Sequence, residues 1–201
     1  MSVRTVVGEA IDAYVDDIAG LWSVVLRDWP YLYDGHAEHG ADLSLPHLRA
    51  CAQSWRSVAV LAFDGDSLVG AATGLPLVDA PGPVQRGFVG AGLEATQVFL
   101  CGESVLLPGY RGRGLGHRLF DERESHARLI GGFDETAFCA VERAADDPRR
   151  PPFGRGYEPF WRKRGYRPRE DLQVALAWNE VDAGEVMHHL TGWLRPLERS
   201  R

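Results

Sequence analysis

Residues Arg111-Gly112-Arg113-Gly114-Leu115-Gly116 place three glycines and two arginines just ahead of a helix-forming run. A turn of this kind can hold an anion. The first backbone N–H groups of a helix have no partner within it, and the aligned peptide dipoles add partial positive charge there. Glycines let the backbone approach a phosphate without Cβ atoms in the way, and the arginines add charge. The dinucleotide fingerprint GxGxxG is not met, because His117 stands where its third glycine belongs. The phosphate loop GxxxxGK(S/T) does not occur. An RGG-type RNA segment would repeat, and this turn occurs once. A second chemical group lies shortly before the turn. Glu103 interrupts the apolar run Val98-Phe99-Leu100-Cys101-Gly102 and Ser104-Val105-Leu106-Leu107. A carboxylate there is expensive to bury unless it is paired or functional. Glu142, at the end of a later apolar run, is a weaker candidate of the same type.

Strands and helices must hold these groups. Residues 4–7 are rich in β-branched side chains and predict a first strand. Ile11, Val15, Ile18, Leu21, Trp22 and Val25 recur at intervals of three and four, so 11–26 predicts an amphipathic helix. Pro46 at a helix start, with Leu48, Cys51, Ala52 and Trp55, predicts a second helix. Runs 58–63 and 68–73 flank Asp64-Gly65-Asp66, the signature of a hairpin. Residues 75–94, with Pro76, Pro81 and Pro83, predict an irregular connection with a short helix near 88–93. Strand 98–107, helix 114–130 and strand 136–141 form a βαβ unit, with parallel strands and a right-handed crossover. The helix turns Leu115, Leu119 and Phe120 inward. It leaves Glu124 and Arg128 as an i,i+4 pair on the outer face, and His117 and His126 read as surface residues. A Pro/Arg/Gly loop then leads to a short helix at 159–164, a strand at 172–178 and a terminal helix at 186–194. That last helix would carry Met187, Leu190, Trp193 and Leu194 on one side.

Composition narrows the classes. The chain has 201 residues, 45% apolar and 25% charged, ordinary values for one globular domain over 1–201. Its charge, 22 − 28 = −6, argues against general nucleic-acid binding. Cys51, Cys101 and Cys139 are odd in number and widely spaced, which fits neither a disulfide framework nor a zinc site. His36 and His39, near Asp34 and Glu38, are far better read as a solvated loop than as metal ligands. No apolar run reaches the roughly 18–20 residues of a membrane span, and no signal peptide opens the chain. The expectation is a cytoplasmic protein with no metal and no membrane contact.

The string RxxGxG, filled by Arg111, Gly114 and Gly116, resembles the acyl-CoA signature of the GNAT family of N-acetyltransferases. The likeness covers the whole of 103–116. It extends to Phe160-Trp161-Arg162-Lys163-Arg164-Gly165-Tyr166 and to the order of elements over roughly 3–178. It implies an α/β GNAT fold: a mixed, mostly antiparallel central sheet with helices on both faces, in which fourth strand, third helix and fifth strand form a parallel unit. It further implies acetyl-CoA as acyl donor, its pyrophosphate against Arg111, Gly112, Arg113, Gly114, Leu115 and Gly116, and its pantetheine arm against the backbone of Val105 and Leu106 in a gap between splayed strands. Gly102 is a plausible irregularity in the first of those strands. Glu103 matches the general base, and the acceptor would be the primary amine of a small molecule or peptide, attacking directly in a ternary complex. The family's usual tyrosine acid falls on Trp161, whose indole cannot release a proton at neutral pH. Tyr157, about one helical turn earlier, is the replacement candidate. Dimers are common in the family, so a homodimer is expected. The rival readings are a non-catalytic acyl-CoA-binding domain and an enzyme using another acyl-CoA or an O-acceptor.

Overall fold

Gly65 adopts φ +59°, the left-handed conformation a tight turn requires, and closes the hairpin between β2 (Val58–Asp64) and β3 (Ser67–Pro76). The computed structural model describes residues 1–35, 44–144, 146–152 and 156–198. β1 (Ser2–Val7) pairs antiparallel with β2, and β4 (Val98–Leu106) antiparallel with β3. β5 (Glu135–Val141) runs parallel to β4. β6 (Arg167–Glu180) and β7 (Gly184–Pro196) form a long hairpin, and the seven strands lie in the order β1-β2-β3-β4-β5-β7-β6. The sheet is therefore mixed and mostly antiparallel, with one parallel unit, as expected.

Helices cover both faces. α1 (Val15–Val25), α2 (Ser44–Gln53) and α3 (Gly82–Gly90) bury Ile18, Trp22, Leu48, Val84 and Phe88 in one core with Leu61, Leu75, Leu100 and Trp178. α4 (Leu115–Ile130) buries Leu119 and Phe120 on the other face with Val60, Phe99, Phe138 and Trp193, and Phe160 of α5 (Glu158–Lys163) packs there too. The first stretch predicted as one helix is split, residues Gly8–Tyr14 forming a 3₁₀ turn before α1. α3 begins earlier than predicted. Gly82 and Pro83 open it, where proline's missing N–H costs nothing, and Gly92 at φ +80° follows its end.

The predicted terminal helix is a strand. Leu190 and Leu194 of β7 face the first core and Trp193 faces the second, while Met187 is 59% exposed. The spacing of four that suggests a helix is also twice the period of a strand. So short a run cannot separate the two, and the unpaired edge of β5 decides. α4 also departs from expectation on its outer face. Glu124 is buried and accepts from Arg195 Nη1 at 2.7 Å and Tyr166 Oη at 3.2 Å, with Arg164 Nη2 at 3.1 Å. Arg128 lies farther off, at 3.7 Å. His126 is buried too, bonded to the Arg56 carbonyl at 2.9 Å, whereas His117 is exposed, as expected.

Two irregularities in β4 open the sheet at its centre. Its parallel pairing with β5 covers only Val98–Leu100 against Glu135–Ala137, after which β5 continues with β7 alone. Then Gly102 and Glu103 lie opposite the single residue Thr73, a β-bulge between the Gly74–Cys101 and Ala72–Ser104 pairs. A Cβ on Gly102 would meet His47 Nε2 at 2.3 Å and Thr73 Oγ1 at 2.4 Å, so only glycine fits. A bulge leaves ladder carbonyls without partners. Arg123, wholly buried on α4, donates from Nη1 to both Thr73 O and Gly102 O at 3.0 Å. Each buried carbonyl left unsatisfied costs roughly 1–3 kcal/mol. Arg123→Met is therefore expected to lower unfolding stability by about 2–4 kcal/mol, read from urea denaturation followed by circular dichroism.

Candidate active site

The bulge sets Glu103 at the point where β4 and β5 part. Its carboxylate is half-buried and both oxygens accept from the Tyr31 hydroxyl, at 2.9 and 2.8 Å. Burial drives its pKa up to about 7, against the opposing effects of the Tyr31 hydrogen bond and the Arg123 charge. A carboxylate with that affinity can take a proton and give it back near neutrality. Tyr31 belongs to the aromatic segment after α1. Burial and the neighbouring Glu103 push its own pKa well up, so it acts as a hydrogen-bond donor.

Other groups gather at the same place. Cys139 of β5 is close enough for the Glu103 charge to help raise its thiol pKa to about 12, burial being the larger cause. His47 of α2 bonds Thr73 Oγ1 at 2.9 Å, and burial and Arg123 lower its pKa to about 4. Tyr157 is 46% exposed at the entry to α5. Its ring stacks on Trp161 with centroids 6.0 Å apart, and its charge contributes to the raised pKa of Tyr31. Trp161 itself is packed, its ring 4.9 Å from Phe138 and 5.1 Å from Trp193. Glu142 is engaged elsewhere, accepting from Thr191 Oγ1 and, at 3.3 Å, from Gln173 Nε2.

The glycine-rich turn lies at the end of the same strand. Gly112 and Gly114 adopt φ +75° and +82°, and space is open where a Cβ would be. Gly114 caps α4 without any side-chain hydrogen bond, and the first turn carries no acidic residue. The N–H groups of Leu115, Gly116 and His117 therefore remain available to an anion. Arg111 and Arg113 are exposed beside them. Arg113 lies 5.5 Å from the Tyr110 ring centroid, and Tyr110 donates to Asp64 at 2.9 Å. Leu115 is buried against Ala62 and Val69, with Leu106 packed alongside. Val105 points into the first core. Arg111 Nε donates to the Leu106 carbonyl at 3.0 Å. A carbonyl has two lone pairs, so this one can accept a second donor.

Strand and turn together join a helix start with free N–H groups, a cleft with unpaired strand edges and a carboxylate of near-neutral affinity. Sequence reasoning misses Tyr31, Arg123, His47 and Thr73 as members of this site. The one available signal is the crowding of Trp29, Tyr31 and Tyr33 in a short segment. His36, Glu38 and His39 lie outside the described residues. Among the described residues no group of three His, Cys, Asp or Glu could hold a metal, no helix is long and apolar enough to cross a membrane, and the three cysteines are free.

Comparison with curated proteins gives no match. Solved structures share the fold. An aminoglycoside 6'-N-acetyltransferase complexed with coenzyme A aligns at TM-score 0.60 and 14% identity, over 100% of this chain and 99% of that one. Salmonella typhimurium yncA, solved with its cofactor acetyl-CoA, aligns at 0.56 and 13%, over 100% and 96%. The GNAT-like decarboxylase GphF in complex with isobutyryl-CoA aligns at 0.55 and 17%, over 98% and 100%. At these identities the likeness is one of fold. The sequence of residues 21–153 matches the model of the acetyltransferase (GNAT) family, and on that match, with a splayed strand pair and glycine-rich helix start of the kind described, the chain belongs to the GNAT acetyltransferase family.

Proposed function

We propose that the chain is an N-acetyltransferase moving an acetyl group from acetyl-CoA to a primary amine by direct attack in a ternary complex. The observation that carries this reading is Glu103, held by Tyr31 at the opening between β4 and β5 with its pKa raised to about 7. An amine reaches a site at neutral pH mostly as ammonium. Glu103 takes one proton from it, directly or through a water, freeing the lone pair that attacks the thioester carbon. The tetrahedral oxyanion is met by strand backbone N–H groups along the free edge of β4. When the C–S bond breaks, the thiolate takes a proton from Tyr157 or from water, and the second proton, left on the acylated nitrogen, passes back to that same group. Val105 and Leu106 offer backbone groups to the pantetheine arm. Arg111, Gly112, Arg113, Gly114, Leu115 and Gly116 surround the pyrophosphate. Two of the structural neighbours, named as bound to CoA and acetyl-CoA, support the choice of donor. The same fold carries a decarboxylase, so the choice of amine transfer rests on Glu103 and on the family.

The direct test is thiol release from acetyl-CoA across a panel of aminoglycosides, polyamines and peptide amines. Turnover on an amine is expected. Acetyl-CoA binding with no turnover would favour a non-catalytic acyl-CoA-binding domain, and preference for a longer donor or an alcohol would move the chemistry accordingly.

Glu103→Gln is expected to lower kcat/KM by about a hundredfold near neutrality. Wild-type activity should rise as pH passes through about 7, where Glu103 loses its proton. The variant should instead keep rising into the alkaline range as the amine deprotonates by itself, so its deficit shrinks there. A ratio of wild type to variant that is flat from neutral to alkaline pH would remove Glu103 as the base.

Gly116→Glu tests the cradle without disturbing a left-handed glycine. A Cβ at Gly116 meets only Phe160, at 3.8 Å. A carboxylate in the first turn favours the helix dipole but repels a pyrophosphate. Calorimetric CoA affinity should fall by at least about tenfold while the melting temperature holds or rises.

A further inference from the structure

Glu103 has one hydrogen-bonding side chain against it among the described residues, and that side chain is held with unusual thoroughness. Tyr31 stands 72 positions away in sequence. Its backbone carbonyl accepts from Arg143 Nη2 at 2.8 Å and from Trp178 Nε1 at 3.1 Å. The preceding carbonyl, of Pro30, accepts from Arg143 Nε at 2.6 Å. Arg143 is in turn bonded to the buried Glu180 at 3.0 Å, and the Tyr31 and Trp178 rings lie 5.8 Å apart. The hydroxyl therefore cannot drift with its loop. Near-equal distances to the two Glu103 oxygens place it on the axis between them.

We propose that Tyr31 is the positioning residue of the Glu103 carboxylate, a fixed donor that holds it at the cleft and, sharing one hydrogen between two oxygens, leaves each a lone pair for a proton. A donor on the axis can shorten its bond to one oxygen as the other is protonated, without rotation of the carboxylate. The proposal rests on the reading of Glu103 as base, and its test separates the two.

The surroundings make the consequence readable. Tyr31 faces Glu103 from the loop after α1, and Arg123 acts on it from α4. His47 of α2 lies beside neighbouring Gly102, Cys139 faces it from β5, and Tyr157 acts through Tyr31. His47 is already neutral near pH 7, Cys139 remains a thiol and Tyr31 remains a phenol. A proton exchanged at this place near neutrality is therefore that of Glu103. Removing a donor that favours the charged carboxylate raises its pKa further.

The experiment is Tyr31→Phe, which keeps the ring beside Trp178, read in two ways. The first is a carbon NMR titration of the Glu103 carboxyl in glutamate-labelled protein, assigned by its loss in Glu103→Gln. The midpoint should rise by about one pH unit, as expected for one hydrogen bond to a charged group. Arg143→Met, which releases the Tyr31 carbonyl, should move it in the same direction and serves if Tyr31→Phe does not fold. The second reading is the pH profile of thiol release from acetyl-CoA with an amine found active in the panel. Its acid limb should move with the NMR midpoint, leaving the KM for acetyl-CoA unchanged. A shifted midpoint with an unshifted profile keeps Tyr31 as the holder of Glu103 and removes Glu103 as base. An unshifted midpoint in both variants overturns the proposal.

Discussion

A guanidinium inserted into a β-sheet is the contact on which the cleft depends. Arg123 reaches from α4 through the second core to the carbonyls of Thr73 and Gly102. A bulge is cheap only if the carbonyls it releases find other donors. Here one side chain supplies both, and the bulge turns Glu103 out of the ladder toward the opening. The same helix begins at the glycine-rich turn. One rigid element thus carries the glycine-rich start with its free N–H groups and, about two turns later, the clamp on the strand that carries Glu103. A shift of α4 along its axis would disturb both ends at once. The Glu124 carboxylate opposes such a shift, tying the helix to Arg195 of β7, to Tyr166 and to Arg164 beyond α5.

How much can be read from the chain alone depends on how local each signal is. The Asp-Gly turn and the βαβ unit are decided by neighbours a few residues apart, and each is found where expected. Gly102 reads as the irregular position in β4 because glycine inside a strand commonly marks a bulge. Failures begin where the deciding partner is distant. Arg123 meets Thr73 across 50 positions and Tyr31 meets Glu103 across 72. Nothing in the residues around either one announces its partner. Glu124 illustrates the same limit. Its i,i+4 neighbour Arg128 predicts a solvated pair, yet residues of two later elements claim it first.

Trp161 shows how packing displaces a chemical role. Its indole fills a gap among Phe138, Trp193 and Tyr157, on a face where Phe120, Phe160 and Tyr166 also meet. A tyrosine there would leave part of that volume empty. Tyr157 is stacked on the indole and exposed to solvent. Tyr157 is therefore more open to solvent than Tyr31, whose segment is enclosed by Arg143, Trp178 and Glu180.

The strand order also bears on how the chain assembles. β7 comes after β6 in sequence but lies between it and β5. While a nascent chain has exposed β6 and not yet β7, the open edge of β5 could accept β6 as a wrong partner. A tight local turn at Asp182 and Gly184, both with positive φ, pairs β6 with β7 over most of their length. The hairpin can then form quickly by short-range contacts and dock on β5 as a unit. The far wall of the cleft is thus finished by the slowest kind of step, a long-range docking. An intermediate lacking that docking would present β5 as an uncovered edge, the kind of surface on which chains aggregate.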